Sequence, residues 1–297
     1  MNRKLLIALV GAACAIAQTL YAPKGKPAQY TPPHKPHTKL SDLLANHKGQ
    51  KSWRQVIVND KDLKSEYIYA QPGFRHPRAL HPDTRAWWVI LEGEVRFDIE
   101  TIDPFTARKD AMVQVPMQTL FSYEVVGNAP ALIFETNIAG AKTLFAERKD
   151  APPVAGYDWM PVRMSREKGQ WLHNNKPVVY YDEIARKIDN NELRGTIRVV
   201  EDDRGAANFI YGYNSKLPPL DEKYRGHYHP EGAEYWLILS GQIRYPIEGV
   251  GVVIATRGDV VYVPPNTFHA PRWWGDGPSC RLAMNGFPHI AHLTDSR

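Results

Sequence analysis

The chain has 297 residues, a hydrophobic content of 43%, a charged content of 23% and a formal net charge of +5. This is ordinary globular usage, which excludes a disordered chain and a coiled coil and leaves ample room for a core. Because Lys and Arg form no dense run, the charge also argues against nucleic-acid binding, while it is weakly compatible with an acidic small molecule.

Residues 1–17 predict an export signal. A basic start precedes an apolar run from Leu5, and Ala15-Ile16-Ala17 is a small-x-small cleavage site. The apolar run is too short for a stable transmembrane span, so an uncleaved anchor is the weaker alternative. We therefore expect cleavage near Ala17, a periplasmic or secreted protein, and no stable membrane span after processing.

Residues 18–50 predict a Pro-rich arm, because proline lacks an amide donor and favours an extended chain. His34 and His37 could bind a metal ion. Two solvated histidines in a mobile arm are the expectation, since such a tract lacks fixed geometry. A short helix is expected at 40–48, with Ser41 or Asp42 as its cap.

From residue 51 onward, short apolar runs alternate with Gly and Pro turn signals, which predicts an all-β sandwich or barrel. The exception is helical periodicity over 180–193. The segment that begins at His81 aligns without a gap with the segment that begins at His229, and 17 of 57 positions are identical. That is roughly 30% identity, which indicates an internal duplication. We predict domains at 51–150 and 196–297, joined by a linker over 151–195 that contains the helix.

Four residues of the second copy form a candidate metal site. His227 and His229 are two residues apart, so on a strand both imidazoles point to one face. Glu234 follows a bend that can bring it alongside, and His269 follows a later strand. Three imidazoles and one carboxylate suit a divalent transition ion and leave positions open for water, substrate or dioxygen.

The spacing of these residues resembles the cupin superfamily. The run His227-x-His229-x4-Glu234-x6-Gly241 is similar to the first cupin motif, and Gly258, Pro264 and His269 are similar to the second. The chain departs from the motifs at turn and packing positions, namely Asp221, Asn266 and Trp273.

With the duplication, this resemblance spans about residues 55–290 and implies a bicupin, a tandem double-stranded β-helix (jelly-roll) protein with its metal site in the C-terminal domain. It implies one divalent transition metal per chain, with Fe, Mn or Cu favoured and Zn or Ni as alternatives. It also implies pairing through edge strands, which would give a homodimer.

The first copy serves as an internal control. At the positions equivalent to the four ligands it carries Ala79, His81, Ala86 and Phe121. One ligand of four remains, so we expect the N-terminal domain to be degenerate and to bind no metal. His81 is expected to be structural or to lie at an interface.

Several side chains near the ligands are candidates for binding and catalysis. Glu234, Tyr228 and Tyr224 are candidate acids or bases. Arg225 and Arg272 are candidate anchors for a substrate carboxylate, because their equivalents in the first copy are not Arg. On a strand, Trp236 and Ile238 share the inward face with Glu234, while Tyr235 and Leu237 face away. Trp236 is therefore a candidate wall of a small-molecule pocket.

Three functions stay open at this point. The first is a metal-dependent oxidoreductase of the dioxygenase type that acts on a small organic acid or an aromatic compound. The second is a non-redox lyase or decarboxylase of a small carboxylate, in which the ion is a Lewis acid. The third is a non-catalytic protein that binds a ligand or a metal. Redox activity of the bound ion would separate the first from the second.

Overall fold

The computed structural model describes residues 20–167, 171–173 and 175–295. The predicted export signal lies outside these residues. No helix within the described ranges is long and apolar enough to cross a membrane.

The described residues form 22 strands, two α-helices and two short 3₁₀ helices. The first half contains β1 (His37–Thr38), α1 (Leu40–Asn46), β2 (Trp53–Asn59), β3 (Leu63–Ala70), β4 (Arg75–Leu80), β5 (Ala86–Glu92), β6 (Glu94–Ile99), β7 (Phe105–Arg108), β8 (Ala111–Val115), β9 (Phe121–Val126), β10 (Ala131–Ile138), β11 (Leu144–Phe145) and a 3₁₀ turn (Arg148–Asp150). The second half contains β12 (Val178–Tyr180), α2 (Tyr181–Asp189), β13 (Thr196–Asp202), β14 (Gly205–Tyr213), a 3₁₀ turn (Asn214–Lys216), β15 (His227–Tyr228), β16 (Glu234–Ser240), β17 (Gln242–Ile247), β18 (Gly251–Thr256), β19 (Val260–Val263), β20 (Arg272–Trp274), β21 (Pro278–Asn285) and β22 (Leu293–Thr294).

Each half is built from a large sheet that faces smaller sheets. The large sheets have the orders β12-β8-β5-β10-β3-β2 and β1-β19-β16-β21-β14-β13. The opposing strands are β11-β4-β9-β6-β7 in the first half, and β18-β17-β20 together with β15-β22 in the second. The all-β fold that the sequence predicts is confirmed.

The strand bounds follow the sequence repeat. β5 spans Ala86–Glu92, and its equivalent β16 spans Glu234–Ser240, a shift of the same 148 residues that separates His81 from His229. β6 and β17 keep the same shift at both ends. Equivalent strands also occupy equivalent places in the two large sheets, so the repeat in sequence is a repeat in structure. The predicted domain limits stay predictions.

The large sheets exchange their outermost strands. β1, which precedes the first half, pairs antiparallel with β19 of the second half, and β12, which precedes the second half, pairs with β8 of the first. Each strand covers an edge that would otherwise expose unpaired backbone groups.

The N-terminal arm is therefore not a mobile tether, and the expectation of two solvated histidines is wrong. His34 stacks on Tyr262 with ring centroids 4.3 Å apart. His37 Nε2 lies 2.9 Å from Asp259 Oδ2, and both side chains are largely buried. Burial alone would raise the pKa of Asp259, but the hydrogen bonds from His37 and from the amides of Thr256 and Leu40 hold it below its usual value. Strand pairing and this hydrogen bond fix the arm to the second half.

Both predicted helices are present with different ends. α1 begins after Lys39, which makes no side-chain cap, so the expected capping by Ser41 or Asp42 is wrong. The amide of Leu40 instead donates to Asp259 Oδ1 at 3.0 Å, a cap supplied by another part of the chain. α2 ends at Asp189, and the last residues of the periodic segment form turns.

Three apolar clusters make up the core. One lies between the halves and includes Tyr235 and Leu237. A second fills the first half, and a third fills the second half and includes Trp236 and Ile238. The predicted alternation along β16 is thus confirmed, and it directs the face that carries Glu234 and Trp236 into the barrel of the second half.

Candidate metal centre

The backbone around His227 brings two distant segments together. Gly226 has a φ of +79°, and a Cβ at this position would collide with the carbonyl oxygen of His269. The close approach lets His227 and His269 exchange backbone hydrogen bonds of 3.0 and 2.9 Å. Only glycine tolerates both the conformation and the contact.

The predicted ligands converge on one carboxylate oxygen. Glu234 Oε2 lies 2.9 Å from His229 Nε2, 3.2 Å from His269 Nε2 and 3.8 Å from His227 Nε2. His229, His269 and Glu234 are almost completely buried, whereas the His227 side chain is 20% exposed. The structure therefore brings all four predicted ligands together, although a bound ion remains a prediction.

Backbone carbonyl groups orient two of the imidazoles. His229 Nδ1 lies 2.7 Å from the carbonyl oxygen of Ala291, and His269 Nδ1 lies 3.0 Å from that of Thr267. A carbonyl oxygen only accepts, so each Nδ1 carries the proton and each Nε2 faces Glu234. This hydrogen bond from the outer nitrogen is the usual support of a metal-binding histidine.

The electrostatics of the cluster follow from burial and from these contacts. Burial alone would raise the pKa of Glu234, but the neighbouring imidazoles of His227, His229 and His269 lower it well below its usual range. For His229, burial lowers the pKa and the hydrogen bond with Glu234 outweighs it, so the net shift is upward. Burial dominates at His227 and lowers its pKa. The carboxylate is thus ionised and surrounded by imidazoles.

A buried nitrogen atom without a hydrogen-bond partner indicates whether a metal ion fits the cluster. His227 Nε2 is buried and has no hydrogen-bond partner among the described residues. A buried nitrogen without a partner is costly, and a divalent ion would satisfy it together with the neighbouring nitrogen and oxygen atoms. The donor set of imidazole and carboxylate also suits Mn, Fe, Cu, Ni or Zn. The residues present therefore fit a divalent transition ion.

His292 belongs to the same cluster, and the sequence analysis missed it. Ligand atoms of His227, His229, Glu234 and His292 all lie within 4.8 Å of one another. The cause is the pairing of β15 with β22, in which Tyr228 lies opposite Leu293 and His292 comes beside His229. A two-residue strand has no pattern that sequence reasoning could find. His292 is also the exposed member, so the cluster opens to solvent on the side of His227 and His292.

The remaining predicted site residues have mixed placements. The Trp236 ring lies 5.2 Å from that of His269, beneath the cluster. Tyr228 points to the opposite face of β15 and packs on Phe268 at 5.0 Å. Tyr224 is 58% exposed and lines a cavity of about 340 Å³ to which no residue of the cluster contributes. These placements give no support to an acid or base role for either tyrosine, and the roles stay predictions.

The two candidate arginine anchors already have protein partners. Arg225 pairs with Glu248 at 2.8 Å and with Asp295 at 3.4 Å. Arg272 donates to Asn214 Oδ1 at 3.0 Å and to the carbonyl oxygen of Pro218 at 2.7 Å. A substrate would have to displace these partners, so their role as anchors also stays a prediction.

The first half keeps the scaffold of the site with other side chains. His81 Nδ1 lies 3.0 Å from the carbonyl oxygen of Lys142, the same kind of contact that His229 makes with Ala291. Ala79 pairs with Phe121 across β4 and β9, and with Ala86 they place apolar side chains at three of the four equivalent ligand positions. His81 has the structural contact that the sequence analysis expected.

Comparison with known proteins supports the fold. Residues 215–284 match the model of the cupin domain. Among solved structures, the chain is similar to a cupin 2 conserved barrel domain protein from Leptotrichia buccalis, with 13% identity and a TM-score of 0.52 over 92% of this chain and 99% of that one. It is also similar to a variant of oxalate decarboxylase from Bacillus subtilis, with 14% identity and a TM-score of 0.51 over 89% of this chain and 80% of that one. A further structure of that enzyme, from work on its Mn(II) centres, has 14% identity and a TM-score of 0.50 over the same shares. None of the curated proteins matches the sequence.

At these identities the similar structures establish the fold alone. The fold and the family match together define the class: an all-β protein with the cupin fold. Its cupin domain, residues 215–284, contains His227, His229, Glu234 and His269, while His292 lies beyond it.

Proposed function

We propose that this protein is a metal-dependent enzyme that acts on a small carboxylic acid as a lyase or decarboxylase. One observation carries the proposal: His227 Nε2 is buried without a partner, 3.8 Å from the ionised Glu234, at the solvent-facing side of the cluster. A group that completes this cluster is a divalent cation, and the open side admits a small molecule to it.

His227, His229 and Glu234 would hold the ion, with His269 and His292 as the further imidazoles within reach. When bound, such an ion supplies a Lewis acid that attracts and polarises a substrate carboxylate. The Mn(II) centres of the similarly folded oxalate decarboxylase make Mn the first ion to test.

Other residues of the chain orient the imidazoles, pack beneath the cluster and supply its negative charge. The carbonyl groups of Ala291 and Thr267 hold two imidazoles in place, which fixes the geometry before a ligand arrives. Trp236 is buried beneath the cluster, with its ring 5.2 Å from that of His269. Glu234 is the one carboxylate of the cluster, and its ionised Oε2 would supply the negative charge that attracts the ion.

A second candidate is an oxidoreductase of the dioxygenase type with O2 as co-substrate. The observation in its favour is the number of imidazoles, since four histidine rings surround one carboxylate. Imidazole-rich sites suit Fe and Cu as well as Zn and Ni.

The two candidates differ in what they consume and release. The protein is loaded separately with Mn, Fe(II), Cu and Zn and assayed on a panel of small mono- and dicarboxylic acids for CO2 release and O2 uptake. CO2 release without O2 uptake supports the lyase, and stoichiometric O2 uptake supports the dioxygenase. Binding of acids without turnover under every ion contradicts both. His229→Ala should abolish turnover, while His289→Ala, at an exposed position outside the cluster, should not.

The bicupin architecture and the export of the chain are also our proposals. Matching strand bounds in the two halves support the first. For the second, mass spectrometry of the protein from its own cell should find a mature form that begins near residue 18, and a cytoplasmic protein with residues 1–17 intact would contradict it.

A further inference from the structure

A buried arginine in the C-terminal barrel, Arg281, has guanidinium atoms without a hydrogen-bond partner among the described residues. Arg281 is 7% exposed, and its Nε and Nη1 atoms are buried without a hydrogen bond among the described residues. The ion pairs of the described residues do not include it either. The hydroxyl of Tyr245, which is completely buried, and the indole nitrogen of Trp273 are orphaned in the same way.

The other buried arginines make the contrast clear. Arg85, 4% exposed, donates to Asp202 at 3.3 Å and to Gln114 at 3.1 Å. Arg244, 7% exposed, pairs with Glu222 at 2.7 Å. Because an uncompensated buried charge is expensive, proteins normally pair such groups. Arg281 departs from the pattern that the rest of the chain follows.

The position of Arg281 relates it to the metal centre. On β21, Asn285 lies opposite Glu234 and Arg281 lies opposite Ile238, so Arg281 shares the inward face of the barrel with Glu234. Asn285, at the level of Glu234, and Arg281, at the level of Ile238, are four residues apart along β21, which is about 13 Å between Cα atoms. Arg281 thus projects from the layer beneath the cluster.

Tyr245 lies between the two levels. Its ring is 5.0 Å from Trp236, which in turn lies 5.2 Å from His269. Burial raises the pKa of Tyr245, while the positive charge of Arg281 lowers it and the negative charge of Glu234 raises it further. Ile247 forms a backbone bridge with His269, and Tyr245 is two residues before it on the same inward face of β17, so the Tyr245 side chain lies beneath the cluster. Small side chains, Ala255 and Ala283, face the same interior.

We propose that Arg281 and Tyr245 form a carboxylate-binding subsite inside the C-terminal barrel, beneath the metal centre. A guanidinium can hold a carboxylate through two parallel hydrogen bonds, and the tyrosine hydroxyl supplies a third donor. The inference rests on the proposed function and deepens it: the substrate class is a small dicarboxylic acid, with one carboxylate at the cluster and the other at Arg281.

The test measures binding in the absence of metal, so that it does not depend on turnover. Protein treated with a chelator is titrated with succinate, malonate and acetate by calorimetry, with Trp fluorescence as a second readout because Trp236 and Trp273 lie near the subsite. The variants are Arg281→Met, Arg281→Lys and Tyr245→Phe. Arg244→Met is the matched control, since it removes a buried arginine of the same half that already has a partner.

We expect wild-type protein to bind a dicarboxylate and Arg281→Met to lose at least about tenfold in affinity, with partial recovery in Arg281→Lys. Without ligand, Arg281→Met should melt at the wild-type temperature or above it, because it removes an unpaired buried charge. The dicarboxylate should raise the melting temperature of the wild type and of Arg244→Met but not that of Arg281→Met.

Two results would overturn the subsite. One is equal dicarboxylate affinity in wild type and Arg281→Met. The other is a melting temperature that falls in Arg281→Met together with no effect of any acid on the wild type, which would make Arg281 a structural residue. Failure of the proposed function is distinguishable: the chain would then bind no metal, yet Arg281-dependent binding of the acid would persist.

Discussion

At the scale of single residues, the cluster depends on side chains that come from three segments far apart in the chain. His227, His229 and Glu234 lie close together in the sequence. His269 and His292 reach the cluster through backbone pairing between segments that are distant in the sequence. The motif spacing predicts the first four. His292 could not be predicted, because only the pairing of β22 with β15 places it there, and one residue of displacement would point it elsewhere.

His292→Ala should lower the affinity of the protein for Mn(II) by about tenfold or more, since it removes an imidazole within 4.8 Å of the other ligand atoms. Calorimetric titration of metal-free protein measures the change. His289→Ala, three residues away and exposed, is the matched control and should keep the wild-type affinity. Equal affinities in both variants would remove His292 from the site.

His76 should make the stability of the protein depend on pH. The ring stacks on Phe121 and Tyr123, and burial lowers its pKa to about 4. An unfolded histidine takes up a proton near pH 6.5, so the unfolded state binds the extra proton between that pH and about pH 4. The free energy of unfolding should fall as the pH falls through this window, by about 2 kcal/mol at pH 5.

Urea unfolding at pH 7.5 and pH 5 measures this dependence, and His76→Phe should reduce the difference between the two pH values. A variant that keeps the whole wild-type difference would show that His76 stays accessible to protons in the folded state.

At the scale of elements, the local geometry of the site depends on Gly226, because this residue allows the segment before β15 to approach the backbone of His269. Gly226→Ala should lose at least about tenfold in metal affinity, because the new Cβ forces His269 away from His227. Gly249→Ala is the control: it has a comparable φ of +77° but no atom within 4 Å of the new Cβ. Both should lose about 1 kcal/mol of stability from the left-handed conformation.

Titration with Mn(II) and urea unfolding of both variants separate the two effects. If Gly249→Ala lost as much metal affinity as Gly226→Ala, backbone strain rather than the contact with His269 would be the cause.

The main strands could be predicted from the sequence, but their edge strands could not. The constant shift between the halves predicts that β5 and β16 are equivalent strands, since apolar runs bounded by Gly turns carry the signal. β1 and β12 contain two and three residues and have no such pattern. The interpretation of the arm as mobile failed for the same reason: its order comes from Asp259, Tyr262 and β19, which lie more than 200 residues away.

At the scale of the whole molecule, the halves share one core and should unfold together. Tyr235 of the second half donates or accepts a 2.6 Å hydrogen bond with Ser65 of the first, and Tyr67 donates to the carbonyl oxygen of Gly258 at 2.5 Å. Arg257 reaches Asp110 across the same interface at 2.9 Å. We expect a single transition on heating.

Tyr235→Phe should lower the free energy of unfolding by about 1–2 kcal/mol, because it deprives the buried Ser65 of one partner. The transition should stay single. Tyr224→Phe, at a largely exposed position, should change the stability little. Calorimetry that resolves two transitions, with only one of them shifted in Tyr235→Phe, would show that the halves unfold independently.

We expect the C-terminal half to hold a transition metal through His227, His229 and Glu234. Elemental analysis of the purified protein, with His229→Ala prepared in parallel, tests this expectation. We expect about one equivalent of Mn, Fe, Cu, Ni or Zn in the wild type and loss of that ion in the variant. A wild type that takes up none of these ions even from excess, or a His229→Ala variant that retains a full equivalent, would contradict the account.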